Sequence, residues 1–319
     1  MNDRSAGRKS KIERAESGRQ AAARSLRAAE KTQNPPGKRL ETAFGYARNF
    51  LNNRFVYLVI SPRARGLSVG INLIPERRCN FDCVYCEVNW EAPPRAPSFK
   101  IETMVAELEA TLAMAYQGKL AKLPKYRAVP PELLQPRHVT LSGDGEPTLC
   151  HNLPEVVQAV AHLRALGSLP FFKIVLVSNA TGLDQPAVQR ALNILTAQDE
   201  LWLKLDAGTP EYFRRVNRPR EPLFDKVLEN ILLTGRKRPV VIQSLFCELD
   251  GQPPPPEEIE EYVKRLRELK EAGAQIALVQ IYSALRPTMH AGCRHLSLRT
   301  LSGIAVAVRE KTGLRAEVF

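Results

Sequence analysis

Cys79-Asn80-Phe81-Asp82-Cys83-Val84-Tyr85-Cys86 is the stretch on which the reading of this chain turns. Three potential thiolate ligands stand within eight residues, and no fourth stands beside them. A cubane iron–sulfur cluster held by three cysteines keeps one iron open to a cofactor or substrate. The spacing sets Cys83 and Cys86 one turn apart while Cys79 reaches in from the end of a preceding strand, so the thiolates converge on one face of a tight loop. Two other chemistries use the same residue types. A structural zinc ion wants four closed ligands, and the fourth would have to come from His138, Cys150, His151 or His295. A thioredoxin-like dithiol would employ Cys83 and Cys86 and leave Cys79 without a role.

Outward from the loop, apolar runs with strand character alternate with helical patterns from residue 67 onward, which predicts α/β architecture with a parallel sheet. Six units are expected. The strands fall near 68–74, 137–142, 172–178, 200–206, 239–247 and 275–282, and helices follow near 99–117, 154–166, 186–197, 222–235, 256–272 and 297–312. In the fifth helix Ile259, Tyr262, Val263, Leu266 and Leu269 recur at helical spacing among Lys and Glu, a core-facing stripe. The basic, proline-rich stretch Lys119 to Pro136 is long for a simple connection, and reads either as a cover over one end of a barrel or as an insertion. Pro253 to Pro256, between a strand and a helix, reads as a stiff loop.

The unusual polar residues fall at the strand ends. The cysteine loop follows the first strand, Ser142-Gly143-Asp144-Gly145-Glu146-Pro147-Thr148 follows the second, and Ser178-Asn179-Ala180-Thr181 closes the third. Lys204 and Asp206 lie at the end of the fourth, Glu248 follows the fifth, and Tyr282-Ser283 end the sixth. These are the C-terminal ends, the face on which parallel α/β barrels build active sites. The expected fold is therefore a partial (β/α)6 barrel of the TIM type.

Composition narrows the class. With 319 residues, 44% hydrophobic and 25% charged, the chain can bury one substantial core. No stretch approaches the ~20 apolar residues of a membrane span, and the N-terminus lacks a secretory signal's apolar segment. A cytoplasmic location is expected, and six cysteines with three in a ligand-spaced cluster fit a reducing compartment. The net charge of +12 is uneven: residues 1–40 hold eleven Lys or Arg against four acids. Residues 1–41 are expected to form a disordered basic tail, which raises RNA as a candidate partner, and residues 42–319 the folded domain. The run Arg214, Arg215, Arg218 and Arg220 reads either as a phosphate contact or as a solvated helix end.

The CxxxCxxC loop of Cys79, Cys83 and Cys86, with Gly145-Glu146-Pro147 after the next strand, resembles the radical S-adenosylmethionine superfamily. Gly70-Ile71-Asn72-Leu73-Ile74-Pro75 and Ser142 to Leu149 are most similar to the radical SAM proteins related to wyosine-tRNA synthase, over about residues 66–290. The resemblance implies that the three cysteines bind a [4Fe–4S] cluster whose open iron takes S-adenosyl-L-methionine. It also implies a reducing electron donor such as flavodoxin or ferredoxin, and a 5′-deoxyadenosyl radical as the product of reductive cleavage. Tyr85 matches the aromatic place beside adenine; Gly145, Glu146 and Pro147 match the methionine-binding motif; Ser178 and Asn179 match the ribose position. Lys204 and Asp206 alternate with apolar residues, so that both can point into the barrel mouth and Asp206 can join the cofactor-binding set; a buried ion pair is the other reading. No residue is assigned a catalytic role. The wyosine relative carries a second cluster on cysteines upstream of its radical SAM motif, and here none precedes Cys79. The spacing of Cys150, Cys247 and Cys293 matches no cluster pattern, and buried free thiols are their expected state. An iron–sulfur sensor that leaves the cofactor intact is the alternative function.

Overall fold

The structure, a computed structural model, describes residues 50–90, 98–286, 288 and 290–319. The basic tail and its expected boundary at residue 41 lie outside the described residues.

Strand β1 (Val56–Ser61) pairs antiparallel with β2 (Gly66–Asn72), and from β2 onward the sheet is parallel. The further strands are β3 (Pro136–Ser142), β4 (Lys173–Ser178), β5 (Glu200–Lys204), β6 (Val240–Leu245), β8 (Ile276–Tyr282) and β10 (Ala316–Val318), in the order β1-β2-β3-β4-β5-β6-β8-β10. Each new strand joins the edge left by the previous one, which is barrel winding, and the eight strands curl into a half-barrel. A second, two-stranded sheet pairs β7 (Cys247–Leu249) with β9 (Cys293–His295).

All seven residues of β2 are buried, as expected of a parallel strand covered on both faces. Helices α1 (Ile101–Tyr116), α2 (Leu153–Ala165), α3 (Pro186–Ile194), α4 (Pro210–Val216), α5 (Phe224–Lys237), α6 (Pro256–Glu271) and α7 (Leu298–Thr312) follow the strands. In α6, Tyr262, Val263, Leu266 and Leu269 are buried and Ile259 half-buried, so the predicted stripe is the core face. The proline run leads straight into that helix, with Pro256 in its first turn and Glu257 and Glu258 placed to favour the N-terminal dipole. Lys119 to Pro136 folds as three short 3₁₀ turns that bury Leu120, Tyr126 and Leu134.

The six expected strands and helices are present, joined by the short helix α4, by the β7–β9 pair and by two further strands of the main sheet, β1 and β10. β1 lies outside the strand–helix alternation because it reaches β2 through a tight turn in which Arg65 takes φ 53°. The expected strand 239–247 is divided: β6 ends at Leu245, and Cys247 leaves the main sheet to pair with β9. β10 adds a strand beyond β8. The β1–β2 turn reaches across the open side of the half-barrel, where Arg65 pairs with Glu317 of β10 at 2.7 Å and the Arg63 guanidinium lies 3.9 Å from the centre of the Tyr282 ring.

Candidate functional site

The strand-end loops meet as the sequence predicts, and buried polar groups tie them together. The cysteine loop leaves β2 and runs beside the segment after α4: Asp82 N–H donates to Asn217 O, Val84 N–H to Val216 O and Arg220 N–H to Asn80 O, at 3.2, 2.9 and 3.3 Å. Cys86 N–H donates to Cys83 O at 2.9 Å, forming the expected turn between these two cysteines. All three cysteines are half-buried free thiols. Burial, the nearby Glu146 charge and Cys86 push the Cys79 thiol up to about 12, against an opposing Phe81 N–H bond. Burial and Asp206 push Cys83 further still. The bare Cys79 and Cys83 thiols therefore hold their protons at neutral pH, and a bound metal centre has to displace them.

Glu146 is 4% exposed and its carboxylate accepts four hydrogen bonds. Thr148 N–H and Oγ1 donate at 3.0 and 2.8 Å, Ser178 Oγ at 2.7 Å, and Asn179 N–H at 2.8 Å. Burial raises its pKa while these donors oppose the shift. The loop after β3 is thus stapled to the end of β4 by one carboxylate. Gly145 permits the next contact, because a Cβ there would lie 2.1 Å from Arg78 O, and Glu146 N–H donates to that same carbonyl at 3.0 Å. The side-chain amide of Asn72, at the end of β2, donates to Asp144 Oδ2 at 2.7 Å and accepts from Asp144 N–H at 2.9 Å.

Ser178 and Asn179 are 1% and 7% exposed. The Asn179 amide donates to Asn80 Oδ1 at 2.8 Å, and its carbonyl accepts from Thr181 N–H and Oγ1. Asn80 in turn donates to Thr181 Oγ1 at 2.9 Å, so the β4 end grips the cysteine loop through paired amides.

Asp206 is a third hub. Lys204 Nζ lies 2.9 Å from its Oδ1, Leu245 N–H donates at 2.8 Å, the Tyr85 hydroxyl donates at 2.5 Å and Asn217 Nδ2 at 2.8 Å. Lys204 also donates to the Tyr282 hydroxyl at 2.7 Å and sits 4.9 and 4.8 Å from the Tyr85 and Tyr282 ring centres. Burial lowers the Lys204 pKa, yet Asp206 and Tyr282 outweigh it and the net shift is upward. Lys204 and Asp206 therefore form the buried ion pair, and that pair faces Tyr85 of the cysteine loop. The backbone behind Asp206 is clamped by Glu258 of α6, which accepts from Gly208 N–H at 2.5 Å and Thr209 Oγ1 at 2.6 Å.

Asn217 stands out among the residues that spacing did not find. It is 1% exposed, and its amide nitrogen faces Asp206, the Tyr85 hydroxyl at 3.1 Å and Cys83 Sγ at 3.6 Å. The Asp206 carboxylate fixes the amide orientation, because a flip would set oxygen against oxygen. Asn217 Oδ1 is then buried without a partner. Asn80 and Asn72 were likewise assigned no role; their place within the cysteine motif and at the end of the first expected strand was the available signal.

Residues considered for other metal chemistry are engaged in other contacts. His138 opens β3 opposite Ser68 and Lys173, at the end of the sheet away from the cysteines. Cys150 donates to Asn152 Oδ1 at 3.1 Å, while Cys247 and Cys293 lie on β7 and β9. Among the described residues no group of three or more His, Cys, Asp and Glu is arranged to hold a metal ion, and no helix is long and apolar enough to cross a membrane.

No family model matches the chain. A UPF0026 protein of Helicobacter pylori is 31% identical over 183 residues, which is 57% of this chain and 52% of that protein. The chain spans about half the length of the curated relatives it matches. Among solved structures, TYW1 with a lysine-pyruvate adduct bound superposes with a TM-score of 0.51 at 18% identity, covering 76% of this chain and 73% of that one. Streptococcus suis SuiB bound to S-adenosylmethionine gives 0.52 at 17% identity, covering 81% of this chain and 52% of SuiB. Both are radical SAM enzymes. In sheet order, in the strand-end position of its cysteine loop and in its likeness to these structures, the chain has the fold of the radical S-adenosylmethionine enzymes.

Proposed function

We propose that the chain is a radical SAM enzyme acting in the cytoplasm, in which Cys79, Cys83 and Cys86 hold a [4Fe–4S] cluster. The observation that carries this is the loop itself: three half-buried thiols within eight residues, with Phe81 N–H at 3.4 Å from Cys79 Sγ and the Asn217 amide at 3.6 Å from Cys83 Sγ, donors of the kind that set cluster potentials. The buried, unpartnered Asn217 Oδ1 beside them fits a ligand that brings its own donor. When bound and reduced, the cluster with S-adenosyl-L-methionine supplies a 5′-deoxyadenosyl radical able to abstract hydrogen.

The chain's own residues divide the remaining work. Glu146, Ser178, Asn179 and Asp206 spend their hydrogen-bonding capacity on the protein, so their first task is to fix the loops against one another. In the Gly145 loop this leaves backbone groups, more than the Glu146 carboxylate, to meet the methionine end of the cofactor. Tyr85 is held by Asp206 and Asn217 where its ring can flank adenine. Lys204, kept charged by Asp206, is a cation at the mouth able to orient an anionic substrate group. RNA is the substrate class favoured by the basic N-terminal stretch, and a flavodoxin or ferredoxin is the class of reductant.

The saturation of Glu146 also favours a second reading, a cluster-bearing sensor that leaves S-adenosylmethionine intact, because that carboxylate has a structural role in either protein. Anaerobic reconstitution with iron and sulfide, reduction, and addition of S-adenosylmethionine separate the two. The enzyme yields a [4Fe–4S] paramagnetic signal that shifts with the cofactor, followed by 5′-deoxyadenosine. A signal that does not respond, with no cleavage, selects the sensor; bound zinc without iron removes both.

A further inference from the structure

We propose that a cleft on the outer flank of the cysteine loop is an anion site that receives a phosphate group of the substrate, an inference that rests on the enzymatic reading above for the word substrate. The cleft, about 560 Å³, is lined by Val84, Arg214, Arg215, Arg218, His290 and Gly292, among others. One wall is continuous with the site. Val84 lies between Cys83 and Cys86, and the arginine segment is bonded to it through Val84 N–H to Val216 O, with Phe81 bridged to Pro219. Adjacent extended segments stand about 5 Å apart, so a group held in the cleft lies one strand spacing from the proposed cluster loop.

Three guanidinium groups line the cleft, with Asp250 as its lining carboxylate. Two of the arginines are already oriented: Arg214 by Glu211 at 2.8 Å, and Arg218 by Asp82 at 3.2 Å and His290 Nδ1 at 3.1 Å. Arg215 has no carboxylate within ion-pair distance among the described residues, and its guanidinium lies 5.9 Å from the Tyr212 ring. Arg218 adopts φ 47° immediately before Pro219, a conformation disfavoured for a residue with a side chain and again for one preceding proline. Backbone held in such a state belongs characteristically to functional segments. A planar guanidinium fork matches phosphate oxygens in pairs. The volume is that of a small-ligand site, enough to admit a phosphate ester.

The test uses the full chain without iron or S-adenosylmethionine, so that it does not depend on radical chemistry. The probes are a short single-stranded RNA with and without a 5′-phosphate, with inorganic phosphate as competitor. Arg215→Glu should weaken RNA binding at least tenfold, and Arg215→Ala should lower the salt slope of log affinity by about one, while Arg267→Glu on exposed α6 changes binding less than twofold. Loss confined to the 5′-phosphorylated strand identifies a terminal phosphate; equal loss for both identifies an internal phosphodiester. Binding by both Arg215 variants at the parent affinity overturns the proposal, as does a loss confined to flavodoxin binding. If the parent chain binds RNA through the cleft yet never cleaves S-adenosylmethionine, the enzymatic reading fails and the anion site stands. Cleavage together with unaltered binding by Arg215→Glu is the reverse outcome.

Discussion

At the floor of the half-barrel, Val175, Trp202 and Val241 pack into a small apolar cluster, with His138 edge-on to the indole at 5.2 Å; at the mouth, the carboxylates of Glu146 and Asp206 are buried to a comparable depth. The floor keeps its one titratable ring neutral by excluding water. The mouth instead surrounds each buried carboxylate with four donors. Apolar contacts tolerate small displacements, whereas a saturated carboxylate enforces direction and distance on every donor. The half-barrel thus places its inflexible, costly groups where three loops must be held in register, and its inexpensive packing where nothing has to be oriented.

The sharpest way to break this contrast is at the cysteines. If Cys83 is a cluster ligand as proposed, Cys83→Ser should abolish iron loading on anaerobic reconstitution while leaving the urea midpoint of the metal-free protein nearly unchanged, since serine nearly keeps the size of the side chain that packs against the core. Next, Glu146→Ala should destabilise the fold by about 3–5 kcal/mol, because four buried donors lose their acceptor together; chemical denaturation reads this directly. Asp206→Asn keeps the shape but leaves Lys204 without its counter-charge, with an expected cost of about 2–3 kcal/mol and increased mobility of Tyr85 in fluorescence anisotropy.

The floor should respond to pH instead. Burial, with help from Lys173 and Arg63 and against Glu200, brings His138 down to about 4 from an ordinary 6.5. The unfolded chain therefore takes up a proton that the native state refuses. Stability is complete above about pH 6.5 and falls as pH drops toward 4, on the order of 1.4 kcal/mol per pH unit at most; His138→Phe should flatten that limb of the stability profile. Smallest of all, Lys311→Ala, which removes an exposed pair with Glu260 at 3.6 Å, should shift stability by less than about 0.5 kcal/mol. A larger effect there would blur the distinction between built and incidental charge.

The parallel strands were legible because double burial writes apolar runs such as Ile174 to Val177. β1 and β10 were not, for different reasons. Val56 to Ser61 reads as a strand but belongs to no strand–helix unit, and Ala316 to Val318 is too short to be distinguished from a chain end. The break at Phe246 between β6 and β7 was equally hidden, since Cys247 continues the apolar run while its backbone turns to a partner almost fifty residues away.

Sequence alone determined the three-cysteine loop, its place after a strand, and the alignment of Glu146, Ser178, Asn179 and Asp206 at the same end of the sheet, because ligand spacing and strand periodicity are local properties. Tertiary structure decided what those residues do to one another. That Glu146 binds Ser178 and Asn179 rather than open solvent, and that Asn217 turns its amide toward Asp206 and Cys83, depend on groups brought together from 11 to 134 positions apart. Hydrogen bonds are directional and short-ranged, so only the folded chain can specify which donors each acceptor meets.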